Sequence, residues 1–246
     1  MTYKIESGKT VGIYVPSCKR YDNIITANTV GKCTYVVRES EKDKYRDALP
    51  LRGGVKIISV KDDCINSLGK VRQWIIDNSK EDIVIQLDDD IEFFAYGLKN
   101  NYETIKDKDV VLLELLRVAQ IIDDLNLGMA SLTMTIDVRK RSNEFIFKGV
   151  TGIVNWFNKE CIKGKYETEI IKVDLDFMLQ ELLLNRIIII PDYLAVKGSY
   201  DKNTGGNNTN KTKQRIIDAN NYLKIKWGKY FDFNYKSNQS KVLVNR

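Results

Sequence analysis

The stretch IVIQLDDDIE, residues 83–92, runs a short apolar strand straight into Asp88, Asp89 and Asp90. Adjacent carboxylates repel one another, so a cluster of this kind at the end of a buried strand needs a compensating charge. Asp88 and Asp90, with one residue between them, are spaced to share one hard divalent cation through oxygen ligands. A cation held by only one or two carboxylates usually completes its shell with substrate phosphates and water. The cluster therefore points to Mg²⁺ or Mn²⁺ bound together with a nucleoside diphosphate or triphosphate. The plainer alternative is a solvated acidic turn after a strand.

Two other short segments carry compatible chemistry. Pro16-Ser17-Cys18-Lys19-Arg20 follows the apolar run Val11–Val15 and offers a hydroxyl and two cations for phosphate or nucleobase contacts. Lys61-Asp62-Asp63 follows a third strand-like run and leads into a helix bearing Lys70 and Arg72. A helix N-terminus with nearby cations favours bound anions. Each loop alone is an ordinary polar loop; three at one sheet edge are harder to dismiss.

The chain has no histidine. Ser-His-Asp and Cys-His catalysis, HExxH zinc sites and histidine bases are excluded together. Acid–base work falls to carboxylates, Lys, Tyr or Cys. The four cysteines, at 18, 33, 64 and 161, are widely spaced, with no zinc-type pairing. They read as reduced thiols, which suggests a cytoplasmic protein. No run of about 18 apolar residues predicts a membrane span, and the N-terminus has no secretory signal. The formal net charge is +6, which suits a polyanionic partner or a phosphate-bearing substrate without demonstrating either.

The elements that must position these residues alternate through the first half. Strands are expected at 11–15, 34–38, 55–60 and 83–87, and helices at 21–31, 39–49 and 66–79, the last with Asn66 as N-cap. That alternation predicts an α/β fold with a mainly parallel sheet and right-handed crossovers. The second half reads as α+β: helices at 109–125, 174–185 and 216–227, strands at 128–135 and 145–156, and a buried strand at 187–190. No linker or repeat interrupts 1–246, so one domain is expected, with residues 1–100 as its first half and 101–246 as its second. In open parallel sheets ligands bind outside the carboxyl ends of the strands, where Asp88–Asp90 fall.

The motif IYVPS-x-x-R at 13–20, the QLDDDI at 86–91 and the Arg72-Gln73-Trp74-Ile75 helix resemble GT-A nucleotide-sugar glycosyltransferases, most closely the TET-associated glycosyltransferases of bacteriophages that hypermodify DNA bases. Val173–Phe177 (VDLDF) and the Gly205-Gly206 loop support the match. The resemblance implies a GT-A, Rossmann-like fold and a metal, Mn²⁺ or Mg²⁺, on Asp88 and Asp90. It implies a nucleotide-sugar pocket, for a UDP-sugar by preference, lined by Pro16, Ser17, Arg20, Asp62, Lys70, Arg72 and Asp89. It further implies a hydroxymethylated or otherwise hydroxylated pyrimidine in DNA as acceptor. Many relatives take a metal ligand from a C-terminal histidine. With none here, Asp201, Asn207 or water would have to stand in.

A carboxylate must take the proton from the attacking hydroxyl in an inverting transfer. Asp174 and Asp176, at the start of a helix, are the candidates, Asp176 by preference; both could equally be helix-starting carboxylates. Trp156, on the strand-like TGIVNW, and the Gly205-Gly206 loop are expected near the acceptor. The segment 222–236 interleaves aromatics with lysines, as a nucleic-acid surface does, although aromatics near a chain end more often pack on the core. A non-DNA acceptor (glycan, protein or small molecule) and a non-catalytic binding module with the same fold remain open.

Overall fold

The computed structural model describes residues 2–97, 100–134, 136–141, 143–150, 152–167, 170–198, 212–237 and 239–245. Four parallel strands form the centre: β2 (Thr10–Pro16), β3 (Thr34–Arg38), β4 (Lys56–Val60) and β5 (Ile83–Leu87), in the order β4-β3-β2-β5. Strand β1 (Thr2–Lys4) pairs antiparallel with the start of β2. Every residue of β5 is buried, as a central strand covered on both faces requires, and this is why it reads as a near-continuous apolar run. The chain winds outward from β2 to β4 and then crosses back to β5. The point where the order reverses lies between β2 and β5, and there the Asp88–Asp90 turn and the 16–20 loop meet.

Helices α1 (Thr26–Val30), α2 (Lys42–Ala48) and α3 (Leu68–Asn78) connect these strands. Beyond β5 come β6 (Ile91–Tyr96), β7 (Tyr102–Thr104), α4 (Lys108–Asp124), β8 (Met129–Ser131), β9 (Phe145–Ile146), β10 (Val154–Asn158), α5 (Val173–Leu184), β11 (Ile190–Pro191), β12 (Leu194–Gly198), α6 (Lys213–Trp227), β13 (Phe231–Phe233) and β14 (Ser240–Val242). Strand β10 runs antiparallel between β5 and β8 and completes the main sheet. A small sheet β12-β6-β7 and two short antiparallel pairs, β9/β11 and β13/β14, complete the strand pairing.

Alternation along the strands sends side chains into two cores. Ile13, Val15, Ile83, Ile85 and Leu87 pack with α1, α2 and α4. Tyr14 and Val84 face the other way, with Val71 and Ile75 of α3, Phe177 of α5 and Leu223 of α6. The expected α/β architecture, a mainly parallel sheet flanked by helices, is what forms. Among the described residues no helix is long and apolar enough to cross a membrane.

Several local expectations shift. The helix expected at 21–31 is only Thr26–Val30, closed by Gly31 at φ 77°. Asn66 is not the cap of α3; Ser67 is, its hydroxyl accepting from Lys70 N at 3.3 Å. The strand expected at 187–190 begins only at Ile190. Strands β6, β7 and β12 were not expected; β7 has only three residues, and β12 pairs with β6 across about a hundred residues.

Trp156 is corrected outright. It is fully buried, on the side of β10 facing α4, and its indole Nε1 donates to Leu115 O at 2.9 Å. Its neighbour Asn155 points to the opposite face of the sheet, so no acceptor floor can include the indole. Trp156→Ala should therefore destabilise the fold by about 3–5 kcal/mol, read from the urea midpoint. Trp156→Phe should lose less and leave activity intact; a selective activity loss in the phenylalanine variant would return Trp156 to the site.

Candidate functional site

The loop after β2 is built around Asp89. Its carboxylate accepts from Ser17 Oγ through Oδ2 and from Arg20 Nη1 through Oδ1 at 2.8 Å. To bring Arg20 back, the chain turns at Lys19, whose φ of 55° lies in the left-handed region. Buried Glu41 holds that turn, accepting from Lys19 N at 2.7 Å. Tyr45 OH braces the loop from below, 2.6 Å from Ser17 Oγ and 3.1 Å from Arg20 N. Asp89 is therefore an anchor that shapes the loop. Asp90, also buried, lies 3.4 Å from Arg20 Nη1.

Arg72 sits one layer deeper. Its side chain is 2% exposed, and one guanidinium serves two carboxylates: Nη2 meets Asp88 Oδ1 and Nη1 meets Asp174 Oδ1, each at 2.7 Å. The strand's one polar residue, Gln86, faces this side and donates to Arg72 O at 2.9 Å. Asn155, in register with Gln86 on β10, accepts from Nη1 at 3.1 Å when its amide is turned to satisfy both ends, with its nitrogen then donating to Ser131 Oγ at 2.9 Å. Tyr166 OH lies 3.3 Å from Asp174 Oδ1, and burial pushes its phenol well above the usual range. Asp88 and Asp174 keep side-chain exposures of 29% and 26%, so both reach solvent while Arg72 does not.

Burial raises the Asp88 carboxyl to about 7 against the pull of Arg72, with Asp174, Asp89 and Asp90 adding to the rise. Burial likewise raises Asp89, although Arg20 and Ser17 oppose it.

Beside these groups lies a cavity of about 160 Å³. Pro16, Ser17, Arg20, Asp88 and Asp89 line it, together with Cys18, Arg38, Ile65, Asn66, Ser67, Leu68 and Val71. Arg38 was missed in the sequence, although it is a cation at the end of β3 and the same strand-end rule finds it. It donates to Asn66 O at 3.1 Å, and its Nε is buried without a partner among the described residues. Cys18 is no nucleophile: burial pushes its thiol to about 11.

Other expected site residues lie elsewhere. Arg72 supports the wall and does not line the cavity. Lys70 is exposed and outside the lining. Asp62 is engaged by Ser40, accepting from its hydroxyl at 2.5 Å and its amide at 3.2 Å. The preference for Asp176 over Asp174 is reversed by the geometry. Asp176 is almost fully buried, held by Lys226 Nζ at 2.9 Å and Trp227 Nε1 at 2.8 Å. It is an anchor for α6, with no path to a substrate. Gly205, Gly206, Asp201 and Asn207 lie outside the described residues.

Of the two expected metal ligands, Asp88 lines the cavity, whereas Asp90 is buried beside Arg20 and is not in the lining; Asp89 lines it but is engaged by Ser17 and Arg20. Among the described residues no group of three or more acidic, Cys or His side chains could hold an ion. Hard oxygen donors in that number fit Mg²⁺ or Mn²⁺ sharing a diphosphate, and do not fit a cage formed by protein alone.

Fold and site together describe a GT-A-type sheet with a cleft at its switch point. The chain is similar in structure to glucosyl-3-phosphoglycerate synthase from Mycobacterium tuberculosis, solved with Mn²⁺, UDP-glucose and phosphoglyceric acid: TM-score 0.55, 10% identity, over 96% of this chain and 87% of that one. A second structure of that enzyme, with Mn²⁺, UDP and phosphoglyceric acid, gives TM-score 0.51 at 10% identity over 98% and 89%. Residues 1–349 of TarS from S. aureus with UDP give TM-score 0.43 at 15% identity over 76% of this chain, which spans 59% of the TarS chain. No curated protein matches the chain. The TET-Associated Glycosyltransferase family matches residues 11–206, and the chain belongs to that family.

Removing Arg72 leaves Asp88 and Asp174 facing one another uncompensated. Arg72→Met should lower stability by about 3 kcal/mol, the low end for a broken buried pair because both carboxylates are partly exposed, measured by urea unfolding. The pH dependence has a defined sign. A folded-state pKa raised to about 7 means that the folded protein binds the Asp88 proton more tightly than the unfolded chain. In metal-free protein its stabilising contribution is full below about pH 4 and is lost as pH rises towards 7. Asp88→Asn should flatten this slope across pH 4–7 in denaturation curves.

Proposed function

We propose that the protein transfers a sugar from a nucleotide-sugar donor, a UDP-sugar by preference, to the hydroxyl of a hydroxymethylated or otherwise hydroxylated pyrimidine in DNA. The observation that carries this reading is the shared guanidinium of Arg72, which holds a donor-side carboxylate, Asp88, and a second carboxylate, Asp174, 2.7 Å from its two nitrogens. Membership of the TET-associated family supports the DNA acceptor. The similar structures with Mn²⁺ and UDP support a metal and a uridine nucleotide.

In this reading Ser17, Arg20 and Arg38 bind the nucleotide in the cavity. A divalent cation on Asp88 and Asp90 would act there as a Lewis acid on the leaving diphosphate. Asp174 takes the proton from the acceptor hydroxyl as it attacks the anomeric carbon, and Arg72 and Tyr166 fix its orientation. Ser17 and Arg20 do their work only because Asp89 holds the loop.

The test is mass spectrometry of nucleosides from DNA containing 5-hydroxymethylated pyrimidines, incubated with candidate nucleotide sugars and Mn²⁺. A new glycosylated nucleoside is expected with the wild type. Asp174→Asn should lower kcat by at least about 10²-fold with little change in donor affinity. Full activity in Asp174→Asn would remove it as the base. Transfer to glycans or peptides with none to DNA would overturn the acceptor assignment.

A further inference from the structure

Residues 212–246 contain eight Lys and Arg and two acidic residues, Asp218 and Asp232, a net charge of +6 that equals that of the whole chain. Subtracting 8 from 39 basic and 2 from 33 acidic residues leaves 31 of each sign in residues 1–211. The protein's entire basic excess therefore sits in its last structural unit, α6 with the β13/β14 pair.

That unit packs through its apolar residues. Ala219, Leu223, Phe231 and Phe233 are buried, so the packing reading holds for the two phenylalanines, while Tyr222 and Tyr235 are exposed. The cations point the other way. Lys213, Lys229, Lys236 and Lys241 are exposed, and among the described residues none of the four makes an ion pair. Tyr235, 75% exposed, lies beside Lys236 in the connection between β13 and β14. Aromatic and cationic side chains interleaved on one surface suit the bases and phosphates of a nucleic acid.

The unit is stapled to the candidate acceptor site from two sides. Lys172, just before α5, donates to Asn220 of α6 at 2.6 Å and to Ser240 of β14 at 2.7 Å. Asp176 receives Lys226 and Trp227 of α6. Asp174 lies between these two anchors in sequence, so the basic unit is fixed to the helix turn that presents the candidate base.

We propose that this C-terminal unit is a docking surface for double-stranded DNA, with Lys229, Lys236 and Lys241 neutralising backbone phosphates while the target base reaches the cleft. The inference rests on the DNA-acceptor reading for its choice of partner; the charge distribution alone specifies a polyanion. An exposed, unpaired lysine contributes affinity by releasing condensed counterions, so its removal weakens binding to any sequence and shallows the salt dependence.

The experiment compares wild type with Lys229→Gln/Lys236→Gln/Lys241→Gln, using fluorescence anisotropy of an unmodified duplex at several salt concentrations. UDP binding with Mn²⁺ serves as the control for fold and donor site. We expect UDP binding to be unchanged and the slope of log affinity against log salt to shallow by roughly 0.9 for each phosphate no longer neutralised. At moderate salt the affinity should fall at least tenfold. Equal affinity and slope in the two proteins would overturn the surface, even if sugar transfer to DNA is found. DNA binding through these lysines with no transfer to any hydroxylated pyrimidine would support the surface and sink the acceptor reading. Binding to phosphatidylserine vesicles in preference to the duplex, lost in the same variant, would overturn DNA as the partner.

Discussion

One buried cation shared between two carboxylates organises this protein. Arg72 cannot reach solvent, so its charge must be met inside, and Asp88 and Asp174 meet it from different elements. One comes from the end of a central strand and the other from the first turn of a helix more than eighty residues later. Removing the guanidinium from water is costly, and that cost is offset only while both partners keep their geometry. The end of β5 and the first turn of α5 are therefore held in register by a single group. Gln86 and Asn155, polar residues placed opposite each other on buried strands, exist in the core because they serve that group.

A second anchor works the same way on the nucleotide side. Asp89 directs its charge to Ser17 and Arg20, and Glu41 and Tyr45 complete the support. The three consecutive aspartates thus do different things. Alternation at the strand end sends Asp88 towards Arg72 and the cleft, turns Asp89 under the loop and leaves Asp90 beside Arg20. The repulsion among them is met partly by two arginines, while burial, with the neighbouring carboxylates adding to it, raises the Asp88 carboxyl.

Much of this was legible in the sequence where the cause is local. The four parallel strands and the acidic turn at a strand's carboxyl end follow from apolar runs and their punctuation; the strand order that makes this a switch point does not. Roles that depend on distant partners were not legible. Asp174 and Asp176 are indistinguishable as letters two residues apart at a helix start. Only tertiary packing separates them: α6 places Lys226 and Trp227 on Asp176, and α3 places Arg72 on Asp174. Trp156 and Asn155 raise the same problem on a strand, because the sequence does not say which face of β10 meets α4. Arg38 was within reach of the rule that found Arg20 and was passed over because TYVVR reads as strand to its last residue.

The central claim is that the cleft between β2 and β5 binds a nucleoside diphosphate through a cation on Asp88 and Asp90. Calorimetric titration of UDP and GDP, with and without Mn²⁺, into wild type and an Asp88→Asn/Asp90→Asn variant tests it most directly. The account predicts that one of the two nucleotides binds, that Mn²⁺ strengthens binding at least tenfold, and that the variant loses the metal-dependent part. Nucleotide affinity that is indifferent to Mn²⁺, or equal in both proteins, would contradict it.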